Sequence, residues 1–201
     1  TGIPLPEIQN FSDEYPFLPD ITRRIFSVYL QDTWDITNTL NVTLGVRHDQ
    51  YNDFGDATSP RVGLTWSFIE NASLKLLYGE AFRAPVFYEM FQIDIGNDDL
   101  DPERIRTYEL GLSYKFNKYV TSSMNYFYND IKDLIAINRN APRSGPHLYE
   151  NLTNARVQGI EMETKIDISK GNYVFMNYTF KDQEDSEGNE LPLVAQHTGN
   201  F

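Results

Sequence analysis

Histidine, cysteine and clustered carboxylates are the residues that could carry acid–base chemistry or hold a metal ion. The three histidines, His48, His147 and His197, are far apart in sequence and form no His-x-x-x-His pair. The chain has no cysteine and no Gly-x-Ser-x-Gly sequence, which excludes Cys-ligated metals and a serine-hydrolase elbow. The sequence therefore predicts no catalytic residue, no enzyme activity and no cofactor.

The chain is acidic, with 29 Asp and Glu against 17 Lys and Arg and a net charge of -12. This balance argues against nucleic acid as a partner. Carboxylates gather at 13–20, 94–103 and 182–190, and the cluster at 94–103 is one that could suit calcium. Because no EF-hand spacing is present, we interpret these segments as solvated acidic loops and predict no metal site.

Alternation of apolar and polar residues predicts the elements that position these loops. In 105–116 the even positions include Tyr108, Leu110 and Leu112, and the odd positions between them are Glu109 and Gly111. The same period of two covers 26–34, 40–50, 62–68, 74–82, 120–128, 160–168 and 174–181. The pattern predicts eight complete strands, with a ninth beginning after residue 193.

Three features favour a barrel in lipid over a soluble β protein. Several patterned stretches reach about ten residues, the length of a tilted membrane strand. Aromatic residues gather near strand ends, and no apolar run approaches the length of a spanning helix. Short connections at 36–39, 70–72, 117–118 and 169–172 interleave with longer ones at 52–59, 84–103, 138–154 and 182–192.

We therefore predict an all-β, antiparallel, up-and-down transmembrane β-barrel. Its even-numbered apolar residues should face outer-membrane lipid, and five charged residues should face the lumen: Glu109, Glu161, Glu163, Lys115 and Lys181. Two other classes fit the alternation. One is a complete small outer-membrane barrel acting as an enzyme or adhesin, and the other is a soluble β-sandwich that binds glycans through Tyr and Trp.

Several short sequence motifs occur within the alternating strands. They include Tyr29-Leu30-Gln31-Asp32-Thr33-Trp34, Leu44-Gly45-Val46-Arg47-His48-Asp49, Ser59-Pro60-Arg61-Val62-Gly63-Leu64, Phe82-Arg83-Ala84-Pro85, Tyr108-Glu109-Leu110-Gly111 and Val157-Gln158-Gly159-Ile160-Glu161. In this order they resemble the β-barrel domain of TonB-dependent outer-membrane receptors. The resemblance extends from about residue 23 to residue 201.

The resemblance implies a barrel of about 22 strands with an N-terminal plug, in the Gram-negative cell outer membrane. Such receptors import a ferric siderophore, haem or cobalamin with force transmitted by TonB. Residues 1–201 would form part of one barrel domain, with an extracellular loop at 1–21 and strands from about 22 onward. The plug domain and the N-terminal segment that contacts TonB would be missing from this internal fragment.

The substrate expectation is a ferric siderophore. Haem receptors of the family carry Phe-Arg-Ala-Pro, a downstream Asn-Pro-Asn-Leu and a His between them. Here the first box matches at 82–85, but the second reads Asn97-Asp98-Asp99-Leu100 and no His lies between. Seven residues could contact an anionic, ring-containing chelate: Arg83, Phe87, Tyr88, Phe91, Arg139, Arg143 and Tyr149. Alternatively, the aromatics pack their own loop and Arg83 anchors the wall through a lumenal carboxylate.

Overall fold

A computed structural model describes residues 18–138, 148–190 and 195–200. The strands are β1 (Ile25–Thr37), β2 (Leu40–Tyr51), β3 (Gly55–Ile69), β4 (Ala72–Arg83), β5 (Glu103–Lys115), β6 (Val120–Ile137), β7 (Tyr149–Ser169), β8 (Asn172–Asp185) and β9 (His197–Asn200). One short helix, α1 (Phe87–Phe91), lies between β4 and β5. None of the described residues belongs to a helix long and apolar enough to cross a membrane.

All nine strands form one antiparallel sheet in chain order, which confirms the predicted up-and-down fold. The first eight strands contain 12 to 21 residues, long enough for a tilted strand to span a bilayer. Over the described residues the sheet is open, because β1 and β9 are its two edges. The alternative of a small closed barrel would require those edges to pair.

Residues of the same parity lie on the same face from β1 to β8, because each register pairs even with even positions except at a few bulges. The outer face is the even-numbered one. Its residues are the more exposed, as with Leu110 at 44%, whereas Glu109 and Gly111 of the odd-numbered inner face are less exposed. The parity changes at β9, where His197 lies opposite Phe180, so odd-numbered residues of β9 join the outer face.

Two rows of cross-strand partners mark the outer face. The tyrosine row follows one line of partners from β1 to β8: Asp32, Leu44, Val62, Tyr78, Tyr108, Tyr128, Gln158 and Asp182. The charged row lies two residues nearer the long loops, from β4 to β8: Glu80, Arg106, Asp130, Arg156 and Glu184. Because the residues below the tyrosine row in β4 to β7 are mostly apolar, the two rows lie near the edge of the lipid in those four strands.

The connection predicted at 52–59 is shorter than expected. Strand β3 begins at Gly55, which has a φ of 107°, and Thr58 already pairs with His48 of β2. Pro60 lies beyond the last residue pair that joins β3 to β4, a place where a strand tolerates proline. The Gly, Ser and Pro residues of this stretch are typical of a loop, but in the structure they belong to β3 and pair with β2.

Candidate functional site

The candidate site lies at the end of the sheet that carries the long connections. At the opposite end the strands are joined through residues 38–39, 70–71, 116–119 and 170–171, whereas 84–102 separates β4 from β5. Strands β6 and β7 contain 18 and 21 residues, about twice what a tilted strand needs to span a bilayer. They therefore extend beyond the lipid on the loop side and support the segment 84–102.

Arg23 joins three separate segments at this end. Its Nε lies 2.6 Å from Asp53 Oδ2 in the β2–β3 hairpin, and its Nη2 donates a 2.8 Å hydrogen bond to the Pro85 carbonyl. The guanidinium also lies 4.9 Å from the ring centre of Phe87 and 5.3 Å from that of Phe54. Arg23 and Asp53 are both largely buried. Nothing in the sequence near Arg23 indicates this role, because its partners lie 30 and 62 residues away.

Arg83, a predicted ligand contact, is occupied by two carboxylates. Its Nε and Nη2 donate hydrogen bonds of 2.6 and 2.7 Å to Glu103, and its Nη1 and Nη2 donate bonds of 3.0 and 3.1 Å to Glu89. The two carboxylates raise the Arg83 pKa. Burial favours a higher pKa for Glu103, but hydrogen bonds from Arg83 and the Ile135 amide outweigh it and hold that pKa below its ordinary value. This geometry agrees with the anchoring alternative for Arg83.

The segment 92–102 is fixed to the extended strands by backbone contacts. The Asn97 side chain is buried and donates a 2.8 Å hydrogen bond to the Tyr149 carbonyl. Asn151 exchanges two 3.0 Å hydrogen bonds with the backbone of Asp101. A side chain at Gly96 would collide with the Met90 carbonyl, so glycine is required where the chain folds back on α1. Asn97, in the position of the second haem-receptor box, therefore has a structural role.

Four predicted aromatic contacts divide into two pairs. Tyr88 and Tyr149 meet edge to face with ring centres 5.7 Å apart, and Phe87 and Phe91 lie 6.1 Å apart along α1. Tyr88 remains 39% exposed. Burial, together with the neighbouring Tyr88 hydroxyl, raises the pKa of Tyr149 to about 12, so Tyr149 is neutral at physiological pH. The remaining predicted contacts, Arg139 and Arg143, lie outside the described residues, as does His147.

The inner face of the described sheet is polar and includes two grooves. One has a volume of about 490 Å³ and includes Gln31, Thr43 and Lys75 in its lining. The other has a volume of about 320 Å³, and its lining brings together the predicted lumenal residues Glu109, Glu161 and Lys181. Within 18–138, 148–190 and 195–200, no three His, Asp or Glu side chains lie close enough to hold a metal ion.

Residues 3–201 match the family model described as "TonB dependent receptor-like, beta-barrel". The chain belongs to the TonB-dependent receptor family. Members of this family are transport receptors of the Gram-negative outer membrane and not enzymes, and this chain matches part of their barrel wall.

Relatives of this receptor chain include a siderophore receptor and an iron-regulated outer-membrane protein. The ferrienterobactin receptor of Escherichia coli K12 is 24% identical over 201 residues, covering 88% of this chain and 27% of that protein. The iron-regulated outer membrane virulence protein of Vibrio cholerae is 28% identical over 180 residues, covering 80% and 28%. The chain thus spans between a quarter and a third of the length of these curated relatives.

Among solved structures, the siderophore receptor PirA from Acinetobacter baumannii superposes with a TM-score of 0.76 at 26% identity. The superposition covers 88% of this chain and 30% of PirA. A TonB-dependent receptor wall therefore accounts for the open sheet, its apolar outer face and its polar inner face.

Arg23 offers a test of how the loops of this receptor segment are held. Replacing Arg23 by Ala leaves the buried Asp53 carboxylate and the Pro85 carbonyl without their donor, which should destabilise the loop end by about 1–2 kcal/mol. We expect amide hydrogen exchange across 84–102 of the full-length receptor to become roughly five to thirty times faster. The matched control is Arg24→Ala, since Arg24 is the adjacent, exposed arginine. Equal exchange rates in the two variants would show that Arg23 does not hold the loops.

Proposed function

We propose that this chain is part of the wall and ligand-binding loops of a TonB-dependent importer of a ferric siderophore. The observation that carries the proposal is the division of the sheet into an apolar outer face and a polar inner face, in a chain whose residues 3–201 match the receptor barrel. The similarity to the ferrienterobactin receptor of E. coli, the iron-regulated protein of V. cholerae and the siderophore receptor PirA of A. baumannii supports iron as the cargo and a siderophore as its carrier.

The aromatic and basic residues of the loop end would contact the chelate. Tyr88 presents an exposed ring that Tyr149 supports from the side, and catechol or similar rings could stack on it. Arg83 and Arg23 have their charges neutralised by Glu89, Glu103 and Asp53 and would position the loops. The cationic contacts to an anionic chelate therefore fall to Arg139 and Arg143, within an otherwise acidic set of loops.

Domain organisation follows from the same proposal. Residues 1–201 would belong to one barrel domain, with 1–21 as an extracellular loop, and the complete receptor would supply a plug inside the barrel. The polar inner grooves lined by Lys75, Glu109, Glu161 and Lys181 are chemically suited to a hydrated protein surface of that kind. TonB would act on the complete receptor through its plug-side segment.

The test uses the full-length receptor in Gram-negative cells lacking their own siderophore, haem and cobalamin receptors. We expect radioiron-labelled ferric enterobactin to bind and to enter in a TonB-dependent way. Tyr88→Ala and Arg139→Gln should each weaken binding about tenfold, since each removes a stacking or charged contact. The controls are Tyr119→Ala and Lys118→Gln, which make the same changes in the connection between β5 and β6 at the opposite end.

The outcomes separate the parts of this proposal. Growth on haem or cobalamin alone would show that this nutrient, and not a siderophore, is the cargo, and the proposal of an importer would stand. Uptake of none of the three nutrients would overturn the importer. Equal ferric enterobactin binding by the loop variants and the controls would overturn the loop-end site.

A further inference from the structure

Two unpaired cations face each other on the outer surface of the sheet. Arg104 of β5 lies directly opposite Lys132 of β6, and both side chains are exposed. The residue opposite Arg104 on its other side is Phe82 of β4, which carries no charge. Among the described residues neither cation has an ion pair or a side-chain hydrogen bond. Like charges directly opposite in an antiparallel pair are destabilising unless an anion lies between them.

In the strand register of the outer face, the acidic residues next to this pair are Glu80 and Asp130 of the charged row. That row alternates in sign across five strands, from Glu80 to Glu184. Arg106 lies 3.3 Å from Glu80, and Arg156 forms an ion pair with Glu184. The row contains three acids and two arginines, and Asp130, which lies between the two arginines, has no ion pair among the described residues. The Arg104–Lys132 pair lies above the row and carries two positive charges, against which the nearby Asp130 supplies one negative charge, so the cluster keeps a net positive charge.

The height of the pair relative to the lipid identifies the anion. Along β5 the outer face runs from Tyr108 through Arg106 to Arg104, and each step of two residues rises about 6–7 Å along the strand. On a tilted strand this places Arg104 and Lys132 about 10 Å above the tyrosine row. Since interfacial tyrosines mark the edge of the hydrocarbon, the two cations lie at the level of the lipid headgroups.

We propose that Arg104 and Lys132 bind a phosphate group of an outer-leaflet lipid. The guanidinium of Arg104 can hold two phosphate oxygens in its planar fork, and the ammonium of Lys132 supplies a second positive charge from the neighbouring strand. This site lies on the face opposite to the lumen and is separate from the proposed import of a siderophore.

A lipid fits the site better than a soluble anion does. The chain carries a net charge of -12, which repels free anions, whereas a lipid is held beside the barrel by its acyl chains. Leu110 and Tyr126 are opposite each other below the site and are 44% and 40% exposed, so an acyl chain has an apolar surface to lie on. This contact raises the effective concentration of the phosphate at the two cations.

The experiment measures lipid binding to the full-length receptor in detergent, with purified lipid A as the probe and native mass spectrometry as the readout. We expect Arg104→Gln with Lys132→Gln to weaken lipid A binding roughly 10- to 30-fold, because each cation near an anionic headgroup contributes several-fold. The control is Lys118→Gln with Lys170→Gln, which removes the same charge near the short connections. Unchanged heat-modifiable mobility on a gel verifies that both variants are folded.

Two further arms separate lipid phosphate from other sources of binding. Lipid A without its phosphates should bind the unaltered receptor as weakly as intact lipid A binds the double variant. Inorganic phosphate should not displace intact lipid A. Equal lipid A binding by the double variant and its control, equal binding of the dephosphorylated lipid, or displacement by inorganic phosphate would each overturn the proposal.

Discussion

Replacing Leu112 by Arg should block assembly of the receptor in the outer membrane. Leu112 is exposed on the outer face of β5, midway along the stretch between Tyr108 and the turn after Lys115, which places it near the midplane of the bilayer. A charged side chain at the bilayer midplane costs about 2–4 kcal/mol, and no described acid on this face lies opposite it, since its partners are Leu74 and Met124.

The neighbouring inner-face position is the control for this substitution. Ser113→Arg places the same side chain one residue along β5 and on the polar face, where water or a hydrated partner can solvate it. We expect Ser113→Arg to reach the outer membrane in normal amounts and Leu112→Arg to be degraded, as measured by immunoblots of fractionated membranes. Normal insertion of the Leu112 variant would show that the even-numbered face does not contact lipid.

Replacing Gly159 by Ala should destabilise the pairing of β7 with its two neighbours. A Cβ atom at this position would collide with the Phe180 carbonyl of β8 and would lie 2.7 Å from Cζ of Phe127 on β6. A carbonyl within a sheet cannot move aside without loss of strand pairing. The cost should therefore lie at or above the upper end of the range of about 1–3 kcal/mol typical of overpacking.

Gly79 provides the matched control, because it also lies on the inner face and a Cβ atom there meets nothing within 4 Å. Urea unfolding of the full-length receptor should show a clear loss of stability for Gly159→Ala and almost none for Gly79→Ala. The same loss in both variants would point to backbone flexibility, and not to the close approach at Gly159, as the reason for glycine in these strands.

The strands could be predicted from sequence because each is long and alternates with a period of two. The pattern at 105–116 alone assigns Leu112 to one face and Glu109 to the other, and the register confirms that these faces continue through eight strands. The start of β3 was predicted too late, because Gly55 and Pro60 are turn-forming residues in isolation and become strand residues only when β2 is beside them.

The loop end was less predictable because its contacts join distant parts of the chain. Arg83 lies within a recognisable sequence motif and the aromatic residues of α1 follow it, so these residues could be selected from the sequence. Arg23 could not, since its role depends on Asp53, Pro85 and Phe87 arriving at one place in the fold. The parity change at β9 was also unpredictable, because a long connection sets no relation between odd and even positions on its two sides.

The tilt of the strands from the membrane normal can be estimated by comparing the two ends of the tyrosine row. At its β1 end the outer face stays apolar for six residues beyond Asp32, up to Phe26, whereas at its β8 end the last apolar residue is Phe180, two residues below Asp182. Between β1 and β8, which lie about 34 Å apart across the sheet, the upper edge of the lipid therefore falls by about 27 Å along the strand direction. Those two lengths give an inclination of about 38°, within the range of about 35–45° found for barrels of outer membranes.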